Sequence, residues 1–322
     1  MVATLAQAAS AAYYLESQRS FRHPNEYYTA GEEPDGVWFN PKDIFGLEDG
    51  GKVDSGHFHH LYHGFAPDGS GRLTRNAGSE KRSPGLDMTF SADKSVSAFW
   101  AIADPELRGQ IEQAHNDAAR VALEETVFRH CGFTRIRDRE GQIHVLPADL
   151  MAAMFQHGTS RDNDPQLHTH FVIFNAARAQ DDGKWRAMHQ HPVYGWAKAA
   201  GAVYRNALAR NLQQQLGLPM EQYGLDGEFT RIAGVPEDLA AHWSKRRAAI
   251  VEAANDMGFK VEGNAARAAA ANKITRAGKS PDNDPQGQAP ALARRVAGVL
   301  RAGGTDRLSH GRSRGHQPGA AA

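Results

Sequence analysis

Three histidines set the chemistry this sequence can support: His157 near the end of one apolar run, and His168 and His170 at the start of another. Side chains alternate faces along a strand, so His168 and His170 leave the same side of a β-strand and can meet one ligand. Between the runs lies Ser160-Arg161-Asp162-Asn163-Asp164-Pro165, a cluster of turn formers whose Asp-Pro step cannot continue a helix. Folding the chain about Asn163 as an antiparallel hairpin sets His157 across from the interval between His168 and His170. Three neutral imidazoles on one face, with further positions open, suit a divalent cation acting as a Lewis acid. They do not select among Mg, Mn or similar ions, since several divalent metals accept imidazole. The alternative is a trio of polar strand residues facing solvent.

Two strands have to carry these residues, and the pattern supplies them at 151–157 and 168–174, both apolar and rich in bulky or β-branched types. A third strand opens at Gly85 in clean alternation. Leu86, Met88 and Phe90 share one face, which leaves Asp87 and Thr89 on the other. A carboxylate on the open face of a half-buried strand is a candidate base or histidine-orienting group. Helices expected at 95–103 and 105–129 would cover the apolar face. At the N-terminus a short strand at 1–5 precedes an alanine-rich helix at 7–15 that ends in Tyr13 and Tyr14, and a second pair, Tyr27 and Tyr28, follows. Paired tyrosines are usually packing residues. His57, His59, His60 and His63 fall in a Gly- and Ser-rich region, 43–82, which reads as surface helix and loop rather than a metal site.

Across 322 residues, 37 Lys and Arg balance 37 Asp and Glu, so any affinity for nucleic acid must come from local clustering of charge. A hairpin at 132–145 carries Arg135, Arg137 and Arg139. A helix at 193–216 carries Lys198, Arg205 and Arg210; another hairpin is expected at 218–229, then a helix at 236–257 with His242, Lys245, Arg246 and Arg247. Such faces can track a phosphate backbone, although solvation is the commoner meaning of charge on a helix. There is no apolar run of about eighteen residues and no charged-then-apolar leader, and Cys131 is a single cysteine. The expectation is a soluble, disulfide-free cytoplasmic protein. From Lys273 onward nine Lys and Arg face three Asp, in a Gly-, Pro- and Ala-rich stretch expected to be a disordered basic tail over 276–322. Ala277-Gly278-Lys279-Ser280 is not a phosphate-binding loop, because the first glycine of that motif would fall on Lys273.

These blocks together resemble the MobF-type conjugative relaxases of the HUH endonuclease superfamily. The resemblance rests on Ala11-Ala12-Tyr13-Tyr14 with its second tyrosine pair, on the strand from Gly85 to Ser97, and on His157-Gly158-Thr159-Ser160-Arg161 running into Asp164-Pro165-Gln166-Leu167-His168-Thr169-His170. It covers residues 1–275. It implies an α+β relaxase domain: a central antiparallel sheet with helices packed on one face, a palm bearing metal and tyrosines on the other, and a C-terminal helical DNA clamp. It also implies nicking of single-stranded DNA at a plasmid transfer origin, with a tyrosine attacking the scissile phosphate and staying linked to the 5′ end. By position Tyr13 would be the first nucleophile and Tyr27 the candidate for a second transesterification. His157, His168 and His170 would hold the divalent ion and Asp87 would assist. Arg161 would contact either phosphate or the hairpin's own carboxylates. Accessory relaxosome proteins, a separate helicase and a secretion coupling protein are the implied partners, with no membrane insertion. Two features depart from the family pattern: the interval 15–26 between the tyrosine pairs is long, and no helicase motif follows.

Three rival readings share part of this pattern. A rolling-circle replication initiator is also a tyrosine nickase, but its tyrosine follows its histidines. A three-histidine hydratase or hydrolase acting on a small molecule would not need Tyr13. An inactive remnant would bind DNA and leave it uncut.

Overall fold

The computed structural model describes residues 3–16, 34–160 and 164–256. Its centre is a five-stranded sheet with strands in the spatial order β1 (Ala3–Gln7), β3 (Gly85–Ser91), β7 (Pro165–Phe174), β6 (Ala152–Thr159) and β2 (Val37–Phe39). Every neighbouring pair is antiparallel. The two longest strands, β6 and β7, are the expected hairpin.

One face of this sheet belongs to helices. Leu86, Met88 and Phe90 of β3 join Phe171 and Ile173 of β7 and Met154 of β6 in the larger core, against α3 (Lys94–Ile102), α4 (Pro105–Leu123) and α6 (His191–Leu216). Local chemistry explains where these helices start and stop. Asp93 caps α3 by accepting from the Ser95 N–H at 2.9 Å. Asp104 caps α4 by accepting from the Leu107 N–H at 3.0 Å, with Pro105 in the first turn where its missing N–H loses nothing. α4 then runs through one π turn, Glu124–Phe128, into the short α5 (Arg129–Cys131), which accounts for the long helix expected over 105–129. Gly217 ends α6 in the left-handed region, at φ 64°. The expected clamp helix 193–216 is thus chiefly a packing helix: Ala200, Tyr204, Leu208 and Leu212 recur at helical spacing and turn it onto the sheet, on the face away from the histidines.

The other face is divided. Its apolar half, made by Ala153, Phe155, Val172 and Phe174, is covered by Tyr14 of α1 (Ala11–Glu16) and by Phe58, Leu61 and Tyr62 of α2 (Ser55–Tyr62). Residues 43–82 therefore do more than line the surface. Periodicity there is weak because the region closes with polar bonds as much as apolar contacts. Buried Arg82 donates to the Tyr62 carbonyl at 2.6 Å, to the Asn175 carbonyl at 2.8 Å and to Thr74 Oγ1 at 3.3 Å. Burial lowers its guanidinium to about 10, still charged at neutral pH. The polar half of the same face holds the histidines.

The remaining elements are peripheral. β4 (Phe133–Arg137) and β5 (Ile143–Asp149) form the basic hairpin expected at 132–145 and extend it into a second sheet with β8 (Ala177–Ala179) and β9 (Trp185–Arg186). β10 (Met220–Tyr223) and β11 (Phe229–Ile232) pair as a hairpin a few residues later than the expected 218–229. The single helix expected at 236–257 is two, α7 (Glu237–His242) and α8 (Lys245–Asp256), because Trp243 leaves the helical path to enter the core. Residues from 257 onward, including the basic tail, lie outside the described residues. No helix of the described residues is long and apolar enough to cross a membrane.

Two measurements test this account. A Cβ built on Gly158 would stand 2.6 Å from Cη2 of Trp100, a ring held in place by its Nε1–H bond to Glu112 at 2.8 Å. Gly158→Ala should therefore lower stability by about 1–3 kcal/mol in urea unfolding. His115, fully buried between α4 and the sheet, is pushed down to about 3 by burial. The unfolded chain takes up its proton near the ordinary value of about 6.5, so the contribution of His115 is complete above that pH and declines as pH falls toward 3. In thermal melts between pH 7 and 4, His115→Gln should lose stability less steeply with falling pH than the wild type.

Candidate metal centre and tyrosine site

The hairpin register places the histidines. His157 is the direct partner of His168, and Phe155 of His170. This differs by one residue from the pairing expected from a turn centred on Asn163, which set His157 across from Thr169. An irregularity between His157 and Thr159 shifts the strand locally and brings Thr159 opposite Pro165. The observed register is what gathers the site, because opposed residues share a face and pairing with Thr169 would have turned His157 to the helical side: the three rings converge, with centroids 5.3 Å apart for His157 and His168, 5.2 Å for His157 and His170, and 5.1 Å for His168 and His170. No group of three or more His, Cys, Asp or Glu side chains among the described residues is drawn up as a finished ligand cage. The spacing is nevertheless that of a facial triad. A tetrahedral ion bound at about 2.1 Å by three imidazole nitrogens sets the ring centres roughly 5 Å apart.

Proton positions point the same way. His170 Nδ1 lies 2.8 Å from Asp87 Oδ2 and 3.0 Å from Oδ1. A carboxylate only accepts, so Nδ1 carries the hydrogen, which in the neutral ring leaves the Nε2 lone pair to face the site. That Nε2 is buried and finds no hydrogen-bond partner among the described residues, a placement that fits a ligating atom. His168 is oriented alike, its Nδ1–H donating to the Gln166 carbonyl at 2.7 Å. Desolvation, reinforced by the neighbouring imidazoles of His170 and His157, holds His168 well below the ordinary histidine range. It is neutral at physiological pH, the form that ligates.

Asp87 is the hub of the site. Besides His170 it accepts from the Tyr14 hydroxyl at 2.9 Å and from Thr89 Oγ1 at 3.2 Å. Thr89 Oγ1 also stands 3.0 Å from His170 Nδ1. With its oxygens engaged on histidine and tyrosine, Asp87 sits where it orients an imidazole, one of the two roles left open by the sequence. Tyr14 is fully buried, stacked on Phe155 with centroids 5.6 Å apart, and its oxygen accepts from the Ala9 N–H at 2.9 Å. Burial and the Asp87 charge raise its hydroxyl far above the ordinary phenol range. Tyr13 differs: it is 41% exposed, with its ring edge-on to Tyr14 and to His170, centroids 5.1 and 6.1 Å away. Adjacent residues on one short helical turn thus divide into an anchor and an accessible phenol beside the histidines.

The described structure brings together Tyr13, Asp87, His157, His168 and His170. Tyr27 and Arg161 lie outside the described residues. Of the expected clamp residues, Arg205 lies over the Phe229 ring at 5.3 Å, and Lys245 is tied to the hairpin. Buried Asp164 accepts from the Lys245 N–H at 2.9 Å, capping α8, and its Oδ1 is 3.8 Å from Lys245 Nζ. Sequence reasoning missed this cap, the anchoring role of Tyr14, and Lys94, which donates to the Pro165 carbonyl at 2.9 Å. Thr89 was legible, since alternation alone puts it beside Asp87. In the four-histidine stretch at 57–63, His60 Nδ1 is bonded to the Pro67 carbonyl at 2.7 Å, and the rings of His59 and His63 lie tilted with centroids 4.4 Å apart.

An antiparallel palm with helices behind it and a histidine triad, an orienting carboxylate and a tyrosine on its face defines a protein of the HUH relaxase class. The chain belongs to the TrwC relaxase family, whose profile matches residues 7–298. It is 32% identical over 241 residues to the multifunctional conjugation protein TraI of Escherichia coli, a match covering 72% of this chain and 13% of TraI. The TraI of E. coli strain K12 is 31% identical over 244 residues, again 13% of its length. The chain therefore spans only a small part of these relatives. Among solved structures, conjugative relaxase TrwC in complex with oriT DNA, metal-free, superimposes with a TM-score of 0.69 at 28% identity over 94% of this chain and 98% of that one. Its copper-bound form gives 0.71 over the same shares, and TrwC with a 27-mer DNA comprising the recognition hairpin and the cleavage site gives 0.70 over 92% and 98%.

Removing the Tyr14 hydroxyl would take a donor from buried Asp87 and leave the part-buried Ala9 N–H without its acceptor. Tyr14→Phe should cost about 1–3 kcal/mol of stability, read by chemical denaturation.

Proposed function

We propose that this protein nicks one strand of DNA at a plasmid transfer origin by tyrosine transesterification, the relaxase step of conjugative transfer. The observation that carries the reading is the accessible Tyr13 beside a converging His157, His168 and His170 whose His170 is oriented by Asp87. Membership of the relaxase family supports it, as does the likeness to TrwC structures bound to oriT DNA. Tyr13 Oη attacks the scissile phosphorus, a phosphotyrosine bond forms to the 5′ end, and the 3′ oxygen departs as a hydroxyl. A phenol is a weak nucleophile near its ordinary pKa of about 10, so its proton must leave as the bond forms. The exposure of Tyr13 gives that proton a route to solvent, while Asp87 keeps to positioning. His157, His168 and His170 are the residues that would hold a divalent ion, and such an ion, when bound, neutralises charge on the phosphate oxygens. TrwC has been solved both copper-bound and metal-bound, which supports a bound divalent ion.

Tyr27 is proposed for the second transesterification and Arg161 for contact with phosphate or hairpin carboxylates. Residues 1–275 would form the strand-transferase domain and 276–322 its basic tail. Single-stranded origin DNA would lie across the histidine face, with α7 and α8 beside it as the clamp, and with affinity that falls as salt rises. Accessory relaxosome proteins, a separate helicase and a secretion coupling protein complete the reading, at a cytoplasmic site.

A denaturing gel with single-stranded origin DNA tests it. Wild type should give a divalent-metal-dependent covalent adduct that chelator abolishes and that Tyr13→Phe lacks, while Tyr14→Phe retains it. An adduct that persists in Tyr13→Phe would move the nucleophile elsewhere. DNA retained on a native gel with no adduct under any divalent ion would identify a binder instead of a nickase.

A further inference from the structure

The reverse side of the histidine hairpin carries a buried polar chain that the chemistry on the front does not use. Thr169 lies between His168 and His170, Gln156 precedes His157, and the two are a directly opposed pair of β7 and β6. Strand alternation turns both to the helical face, where both are buried. Helix α4 meets them with His115 and Asn116, and α6 with Tyr204. His115 is bonded at both ring nitrogens, Nδ1 to Tyr204 Oη at 2.7 Å and Nε2 to Thr169 Oγ1 at 2.9 Å. Thr169 Oγ1 donates to Asn116 Oδ1 at 3.0 Å, and Asn116 Nδ2 donates to Gln156 Oε1 at 2.5 Å.

These bonds admit one direction. Because the Thr169 hydrogen goes to Asn116, Thr169 Oγ1 must accept from His115 Nε2–H, so His115 Nδ1 must accept from the Tyr204 hydroxyl. Four bonds thus run head to tail from α6 through α4 to β7 and on to β6, using each group once. Burial, which keeps His115 neutral and Tyr204 protonated, holds the chain in this state. Apolar neighbours would fill the same space but tolerate a shifted strand. A satisfied polar chain does not, since any slip leaves buried donors without acceptors.

We propose that Tyr204, His115, Asn116, Thr169 and Gln156 form a positioning network that sets the metal affinity of the histidine triad by fixing strand register and ring aim from behind. The inference rests on the reading of His157, His168 and His170 as the ligand set.

Co2+ titration of the full chain tests it, by calorimetry and by the visible spectrum of the bound ion. Thr169→Val keeps the shape and removes the hydroxyl; it should weaken Co2+ binding about tenfold, the scale seen for outer partners of metal ligands, and alter the spectrum. Thr169→Ser should restore both. Tyr204→Phe, two bonds further from the strand, should weaken binding less. Wild-type binding that His170→Ala abolishes and folded Thr169→Val leaves intact overturns the network alone. So does a larger loss in Tyr204→Phe than in Thr169→Val, ordered by melting temperature, which marks ordinary packing. If Thr169→Val does not fold, unchanged Co2+ binding by folded Tyr204→Phe overturns it. A wild type that binds no Co2+, or a His170→Ala that binds it equally, removes the ligand-set reading and this inference with it.

Discussion

The pairing of β6 with β7 is the constraint on which the rest of this molecule depends. Side chains alternate with period two, so a one-residue slip would carry His157 to the helical face and leave His168 and His170 without their third ring. The same slip would turn Phe155 and Ala153 toward the helices and carry Gln156, now bonded to Asn116 of α4, onto the histidine face. Apolar patterning on both faces and the polar pair Gln156 and Thr169 therefore defend a single register. The irregularity after His157 is tolerated because it falls beyond the last histidine of β6, where Gly158 has no side chain to collide with Trp100.

That register works because the sheet has one wholly apolar face and one divided face. The helices α3, α4 and α6 cover the first and make it rigid. On the second, α1 and α2 cover only the apolar half, and the line where the cover ends is where Tyr13 and Tyr14 stand. Tyr14 closes the apolar half and reaches Asp87 with its hydroxyl, whereas Tyr13, one residue earlier, faces the polar half. A helix turns by about 100° per residue, so neighbouring tyrosines meet different surroundings.

Electrostatics at the boundary is arranged through hydrogen bonds more than through ion pairs. Asp87 engages Tyr14, Thr89 and His170 and so fixes which nitrogen of His170 faces inward. Asp164, in the turn just before β7, joins the hairpin to α8 by capping that helix. Each carboxylate thus fastens a different element to the histidine hairpin: α1 through Asp87, α8 through Asp164.

Much of this was legible in the residues themselves. The His-x-His strand, the Asp-Pro turn, the alternation around Asp87 and the capped starts of α3 and α4 are local patterns, and local patterns survive without knowledge of the partner. The second core under α2 was not legible, because Arg82 holds it through the carbonyls of Tyr62 and Asn175, 20 and 93 positions away, and a buried arginine reads in sequence as a surface one. Nor was the role of α6, whose basic residues suggested a DNA-facing helix until its apolar stripe met the sheet. Which of Tyr13 and Tyr14 is buried, the hydrogen on His170 and the chain from Tyr204 to Gln156 were decided by the tertiary structure alone. Each depends on groups far apart in sequence, such as Asp87 with Tyr14 or His115 with Thr169. By itself the sequence determined which side chains share a strand face and what chemistry they could perform together; burial and hydrogen bonding between distant segments decided which of them anchor the site and which remain accessible to react.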